Sequence, residues 1–280
     1  SAGPQQASSY PVRSTEVSVG HPLFVTSRDN PLLKELRKVA HENTAYRKAG
    51  RFWVEGDHLC GAALQRGVSP AAVVFSEEYW QNPKSRPLAP VEYAQAAIKS
   101  IVIPKKLFAE LSGLESPAGV GFVLDLPVDV ALQTGAATVI LDRVQDAGNV
   151  GSILRSAGAF GFKQVVALKG TAAMWSPKVL RAGMGAHFGL HLLEGLDLAA
   201  LQALQVPVVV TSSHHGDLIQ TLQLPQPCAW AFGHEGQGVC PELMERAKVH
   251  VRIGQPGGEE SLNVAAAAAI CLHANSLMSV

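Results

Sequence analysis

Apolar residues along the chain fall into two alternating rhythms, one helical and one strand-like. In LLKELRKVA (32–40), Leu32, Leu33, Leu36, Val39 and Ala40 recur at helical spacing. Asn30-Pro31 precedes them as a helix start with proline in the first turn. FWVEG (52–56) is a strand-like run stopped by Gly56. A helix is predicted over 57–66, and AAVVF (71–75) reads as a buried strand. VEYAQAAI (91–98) and PKKLFAELSG (104–113) read as further helical pieces. Strands alternating with helices predict a first α/β unit over 21–118.

Residues 119–136 read as a connector holding Pro127, with FVLDL (122–126) open to being a last strand of the first unit. From 137 a second α/β unit begins. ATVILDRV (137–144) is a continuous apolar run of the kind found in parallel sheets, buried on both faces. Val150, Ile153, Leu154 and Ala157 follow at helical spacing. Further strands are predicted at QVVALK (164–169), PVVVTS (207–212), AWAFG (229–233) and VHVRI (249–253), and the Ala-rich stretch 262–278 reads as a closing helix. Residues 1–20, rich in Ser, Gly, Pro and Gln, are expected to be a flexible tail.

The chain has 280 residues, 47% of them hydrophobic, and 23 Lys+Arg balance 23 Asp+Glu. An apolar fraction this high excludes a wholly disordered chain. Zero net charge argues against a strongly basic nucleic-acid binder, but the balance is uneven along the sequence. Residues 21–118 carry 13 Lys+Arg against 10 Asp+Glu, and residues 121–280 carry 9 against 12. Within 28–51 lie seven basic residues, Arg28, Lys34, Arg37, Lys38, Arg47, Lys48 and Arg51, against three acids. A solvated helix face is the plain explanation, and a phosphate-contacting RNA surface is the functional one. Cys60, Cys228, Cys240 and Cys271 form no CxxC pair and are too sparse for a disulfide scaffold, so buried free thiols are expected. No apolar run approaches the ~20 residues a membrane span needs. The ten His show no ligand-like cluster, and His214-His215 reads as loop, so no metal is expected. A cytoplasmic protein is the expectation.

Three segments carry candidate chemistry. The first is Asn149-Val-Gly151-Ser-Ile-Leu-Arg155, straight after the strand ending Asp142-Arg143-Val144. Asn149 is placed to cap a helix, with Gly151 and Arg155 one turn apart. Gly151 would let a ligand come close, and Arg155 offers a permanently charged planar fork for phosphate. The second is Phe232-Gly233-His-Glu235-Gly236-Gln-Gly238, a Gly-rich loop at the carboxyl end of a strand, where ligands sit in parallel α/β sheets. Glu235 repels phosphate there and suits a cation or a sugar hydroxyl. The third runs from Ile253 through Pro256-Gly257-Gly258 to Ser261-Leu262-Asn263-Val264, where Ser261 is placed to cap the last helix and Asn263 to lie in its first turn.

Taken together and in this order, N-x-G-x-x-x-R, G-x-E-x-x-G and a Gly loop ending S-L-N-V resemble the SpoU family of the SPOUT class of RNA methyltransferases. The resemblance covers the second unit, about half the chain. It implies a parallel sheet with a deep trefoil knot over 137–280, S-adenosylmethionine as cofactor, and a homodimer through the knotted domain. It also implies methyl transfer to a ribose 2'-hydroxyl of structured RNA. The first unit, with SRDNPLLKELRKVA and WVEGDHL, resembles the smaller α/β RNA-binding domain that precedes many such enzymes. Two positions depart from the family pattern: Ile253-Gly254-Gln255 stands where Ile-Pro-Met is usual, and Ala265 where Ser is usual.

On this resemblance the cofactor contacts come from Thr211, Gly233, Gly238, Ile253, Gly257 and Leu262. Asn149, Glu235, Ser261 and Asn263 orient the ribose and the loops. Arg155 either passes the hydroxyl proton on through a phosphate or stabilises the developing alkoxide, since a guanidinium stays protonated. Ribosomal RNA is the expected substrate. The alternatives are a transfer RNA 2'-O-methyltransferase and a catalytically silent RNA-binding or assembly factor on the same fold. A nicotinamide-dependent enzyme would need G-x-G-x-x-G after the first strand of the second unit, and DRVQDAGNVG lacks that spacing.

Overall fold

A computed structural model describes residues 21–82, 88–212, 215–258 and 261–276. The tail expected at 1–20, His214, the Glu259-Glu260 pair of the third motif and the last residues of the closing stretch lie outside the described residues. Up to Asp129 the described residues form strands β1 (Leu23–Phe24), β2 (Arg51–Glu55), β3 (Ala72–Ser76), β4 (Lys99–Ile103) and β5 (Val120–Asp125). Between them lie helices α1 (Pro31–His41), α2 (Ala45–Ala49), α3 (Asp57–Gln65), α4 (Glu77–Gln81), α5 (Pro90–Ala96) and α6 (Lys105–Leu111). The sheet order is β1-β4-β3-β5-β2, with β5 antiparallel to both β2 and β3.

Local chemistry accounts for these elements. Asn30 caps α1, its Oδ1 accepting from the Leu32 amide at 2.9 Å, and Pro31 fills the position where no N–H is needed. Leu33, Leu36, Val39 and Ala40 form the buried stripe of α1. Phe75, Tyr79, Tyr93 and Phe122 pack as a cluster of rings. The two tyrosines satisfy their buried hydroxyls by donating to Asp57, at 2.5 Å and 2.6 Å. Glu55 fixes the 112–118 loop by accepting from Ser112 Oγ and from the Gly113 and Ala118 amides.

The chain continues through β6 (Thr138–Asp142), α7 (Ala147–Ala159), β7 (Gln164–Leu168), α8 (Pro177–Gly183), β8 (His191–Leu196), β9 (Val208–Thr211), β10 (Asp217–Leu218), β11 (Ala229–Gly233), α9 (Pro241–Arg246), β12 (Val249–Arg252) and α10 (Val264–Ser276). The molecule divides into two compact units, and the division is not contiguous in sequence. One unit is Ser1–Asp129 together with Trp175–Phe188, and the other is Val130–Met174 with Gly189–Val280. The inserted stretch belongs with the first unit because Phe52 packs on Trp175 with ring centroids 4.7 Å apart and on Phe188 at 6.5 Å. His58 Nε2 also donates to the Met184 carbonyl there.

The second unit is a seven-stranded sheet in the order β10-β12-β9-β11-β6-β7-β8, parallel throughout. β6, β7 and β11 are wholly buried, which is why they read as unbroken apolar runs. The later strands are slotted between earlier ones: β11 lies between β6 and β9, and β12 between β9 and β10. All four cysteines are free, three buried and Cys240 half-buried.

Helix α10 packs on α7 and β11. It is anchored by Asn275, which is buried although polar. Its Oδ1 accepts from Trp230 Nε1 at 2.7 Å and from the Cys228 thiol at 2.9 Å. Burial pushes that thiol up to about 12, so it stays a neutral donor. Asn275→Ala leaves the fully buried indole N–H without an acceptor. The expected loss is about 1–3 kcal/mol, read from urea unfolding, and an unchanged midpoint would show that the helix does not depend on this anchor.

Candidate active site

The site grows from the carboxyl end of β6. Asp142 closes that strand and is 3% exposed, an acid at the end of an apolar run. Its carboxylate accepts the Cys240 amide at 2.7 Å and both Nε (3.1 Å) and Nη2 (3.3 Å) of Arg143. Arg143 holds a left-handed backbone, φ 61°. Its side chain reaches across to the loop after β11, where Nη1 donates to Gln237 Oε1 at 2.9 Å and Nη2 to the Gly238 carbonyl at 3.3 Å.

The cap of α7 is Asp146, whose Oδ1 accepts the Asn149 amide at 2.8 Å. Asn149 was expected to be the cap. The helix starts at Ala147, so Asp146 takes that role and Asn149 stands in the first turn with its side chain free to bond elsewhere. A similar correction applies at α10. The helix starts at Val264, and Asn263, not Ser261, caps it by accepting the Ala265 (2.9 Å) and Ala266 (3.1 Å) amides.

These two corrections give the site its internal logic. Because Asn263 Oδ1 faces helix amides, its Nδ2 faces outward, and it donates to Asn149 Oδ1 at 3.0 Å. Asn149 must then present Nδ2 on its other side, where it donates to Glu235 Oε1 at 3.4 Å. The Glu235 carboxylate also accepts the amides of Gln145 (3.1 Å) and Asp146 (2.9 Å). Burial works to raise the Glu235 carboxyl, but the hydrogen bonds from Asp146, its own amide, Gln145 and Asn149 outweigh it, and the net result lies below the ordinary glutamate value. The carboxylate expected to face a cation or sugar is thus also engaged by the chain's own donors.

Gly233 is irreplaceable in the loop after β11, because a Cβ there would overlap the backbone of Gly238 and Val239. The loop closes on itself: the Gly238 amide donates to the His234 carbonyl at 2.8 Å, and Gly238 sits at φ 71°.

Beneath the Glu235 clasp is a cavity of about 310 Å³. Its walls are Thr211 and Ser212 at the end of β9, the stretch 232–239, Ile253 and Gln255 after β12, and Ser261, Leu262, Val264 and Ala267 at the start of α10. All come from carboxyl ends of parallel strands or from the final helix start, the edge where open α/β sheets bind ligands. Of the six residues expected at a cofactor, Thr211, Gly233, Gly238, Ile253 and Leu262 line this cavity and Gly257 does not. Ser261 and Glu235 also line it. Gln255, one of the departures from the family pattern, is part of the wall. Gly254, beside it, lies against Leu218, and Ala265 contributes only its amide. None of the lining residues is Lys or Arg. Among the described residues no cluster of three or more His, Cys, Asp or Glu is arranged to hold a metal ion.

Arg155 is not brought to this constellation. It projects from the exposed face of α7 and has no ion pair among the described residues, while Gly151 is buried with Val150, Ile153 and Leu154. Gly151 lies on the packed face of the helix. The basic set in the first unit divides by residue type. Arg28 pairs with Glu110 at 2.9 Å, Arg37 donates to the Arg28 carbonyl at 2.8 Å, and Arg51 pairs with Asp125 at 3.0 Å. Arg47 lies over the Tyr46 ring. Lys34, Lys38 and Lys48 are exposed and without ion pairs among the described residues. Asp142, Arg143, Gln145, Asp146 and His234 carried no expectation from sequence. The available signal was Asp142, an acid ending an otherwise apolar strand.

Comparison with known proteins agrees with this geometry. Residues 136–273 match the SpoU rRNA Methylase family and residues 30–121 the MRM3-like substrate binding domain. The chain is 30% identical over 252 residues to the 23S rRNA (guanosine(2553)-2'-O)-methyltransferase RlmP of Bacillus subtilis, covering 89% of this chain and 97% of that protein. It is 36% identical over 237 residues to the 23S rRNA (guanosine-2'-O-)-methyltransferase RlmB of Coxiella burnetii, covering 79% and 93%. The crystal structure of the AdoMet-bound rRNA methyltransferase from Sinorhizobium meliloti matches with a TM-score of 0.77 at 26% identity, over 93% of this chain and 100% of that one. With both units matched in order, and with the three motif loops gathered at one sheet edge, the chain belongs to the SpoU family of rRNA methylases.

Proposed function

We propose that this protein transfers a methyl group from S-adenosylmethionine to a ribose 2'-hydroxyl of ribosomal RNA. The observation that carries the reading is the cavity at the carboxyl edge of the parallel sheet, closed by the Asn263–Asn149–Glu235 chain. Its lining suits the cofactor. Ile253 and Leu262 offer apolar contact for a flat base, and the strand-end loops offer amides and carbonyls for its edge. A lining with a carboxylate and without Lys or Arg suits a sulfonium cation. When bound, the cofactor supplies an electrophilic methyl group on that sulfonium. The chain's own contribution is positioning: Asn149, Glu235 and Asn263 fix three loops relative to one another, Ser261 presents a hydroxyl at the mouth, and Gly233 keeps the wall thin. Arg155 is assigned to the RNA, as a fork for a phosphate next to the reacting ribose and a stabiliser of the alkoxide that develops there.

The relatives named above act on 23S rRNA, and this favours ribosomal over transfer RNA. The reading includes the trefoil knot, which the late insertion of β11 and β12 between earlier strands supports. It also includes a homodimer through α10, on whose Ala-rich surface Ile270 remains 41% exposed. A cytoplasmic place of action belongs to it as well. Among the described residues no helix is long and apolar enough to cross a membrane.

Incubation of the protein with labelled S-adenosylmethionine and ribosomal RNA lacking the modification is expected to place label on one ribose. Arg155→Ala is expected to lower kcat by about 10²-fold or more while leaving cofactor affinity in place. Label on transfer RNA alone would move the substrate, and absence of label despite RNA and cofactor binding would make the protein a silent binding factor. Replacing Lys34, Lys38 and Lys48 together with Gln is expected to weaken RNA binding and to lower the slope of log K against log salt by about 3; an unchanged slope would place the RNA elsewhere. In sedimentation at micromolar concentration the protein is expected to run as a dimer, and a stable monomer would contradict the α10 interface.

A further inference from the structure

We infer that His234 is a positioning residue whose imidazole builds the turn that carries Glu235, so that cofactor binding in the adjoining cavity depends on a hydrogen-bond acceptor at this position. The inference rests on the reading of that cavity as the cofactor site.

His234 Nδ1 accepts the amide of Gly236 at 3.0 Å and the amide of Gln237 at 3.1 Å. Two N–H donors converge on one ring nitrogen, which serves both as an acceptor. This is the pattern by which Asn or Asp builds a turn from the residues two and three ahead. Nδ1 stands at the same remove from the backbone as the Oδ1 of those residues, so the imidazole acts here as their surrogate. The same ring lines the cavity, and Glu235 lies inside the turn it closes.

Without that acceptor both side-chain bonds of the turn are lost, leaving the Gly238 amide to the His234 carbonyl as its remaining closure.

The test compares the full chain with His234→Asn and His234→Ala, titrating S-adenosylmethionine calorimetrically. Amide hydrogen exchange over 234–239 is followed without cofactor in parallel. His234→Ala is expected to bind about tenfold more weakly, the size of one to two lost hydrogen bonds, with fast exchange at Gly236 and Gln237. His234→Asn should keep wild-type affinity and exchange, because its Oδ1 accepts in place of Nδ1. If His234→Asn behaves like His234→Ala, or His234→Ala binds and exchanges like wild type, the inference is overturned. If exchange follows the expected pattern while affinity does not change, the turn stands and the assignment of the cavity to the cofactor falls.

Discussion

The Glu235 carboxylate is the point on which the site's geometry depends. Three segments far apart in sequence, the 145–149 turn into α7, the loop after β11 and the cap of α10, converge through it and through the two asparagines bonded in series behind it. Hydrogen bonds to an ionised acceptor are roughly twice as strong as neutral ones, so one charge holds a junction that several neutral contacts would leave loose. The direction of every bond in the series is set by the helix amides at Ala265 and Ala266, which allow only an oxygen to face them. The helix start therefore dictates the orientation of Asn263, then of Asn149, and finally which atom meets Glu235. Since the Glu235 carboxyl is held below its ordinary value, the order it imposes is complete above the usual glutamate range and is lost as pH falls through the lowered value.

A second support is visible in the backbone. A non-glycine residue in the left-handed region costs on the order of 1–3 kcal/mol, and Arg143 adopts it directly after β6. The turn aims the guanidinium both at the buried Asp142 and at the loop carrying Gln237 and Gly238. Charge pairing and the reach to a loop over ninety residues away in sequence offset the strain. The loop that forms one wall of the cavity is thus held from two sides, by Arg143 near Gly238 and by the amides of Gln145 and Asp146 at Glu235.

What was legible in the sequence follows from how local each cause is. α1 declared itself through Asn30-Pro31 and the spacing of Leu33, Leu36 and Val39, all within one helix. β6, β7 and β11 declared themselves because burial on both faces leaves unbroken apolar runs. β4 and β8 did not, because Lys99 and Ser100 open one and Glu194 and Gly195 interrupt the other. The caps were misplaced at Asn149 and Ser261 for one reason: several residues able to cap stand close together, and only the true helix start decides among Asp146 and Asn149, or Ser261 and Asn263. The cavity-lining loops could be read because a parallel sheet brings all strand ends of one kind to one edge. Arg143 and His234 could not, since their roles are defined by partners the sequence pattern does not reveal. The grouping of Trp175–Phe188 with the first unit is likewise a matter of where Phe52 and Trp175 meet.

Charge arithmetic sharpens in the same way once partners are known. The stretch 28–51 looked like seven cations available to RNA, but its four arginines are spent on structure: planar forks are matched to Glu110 and Asp125, to a backbone carbonyl and to an aromatic face. Three lysines remain, hydrated point charges on flexible stems, with lower geometric specificity than the arginine fork. Such a surface could attract phosphate, but only without dictating register. On the proposed reading, register must then come from RNA shape and from the reacting nucleotide itself at the clasped cavity.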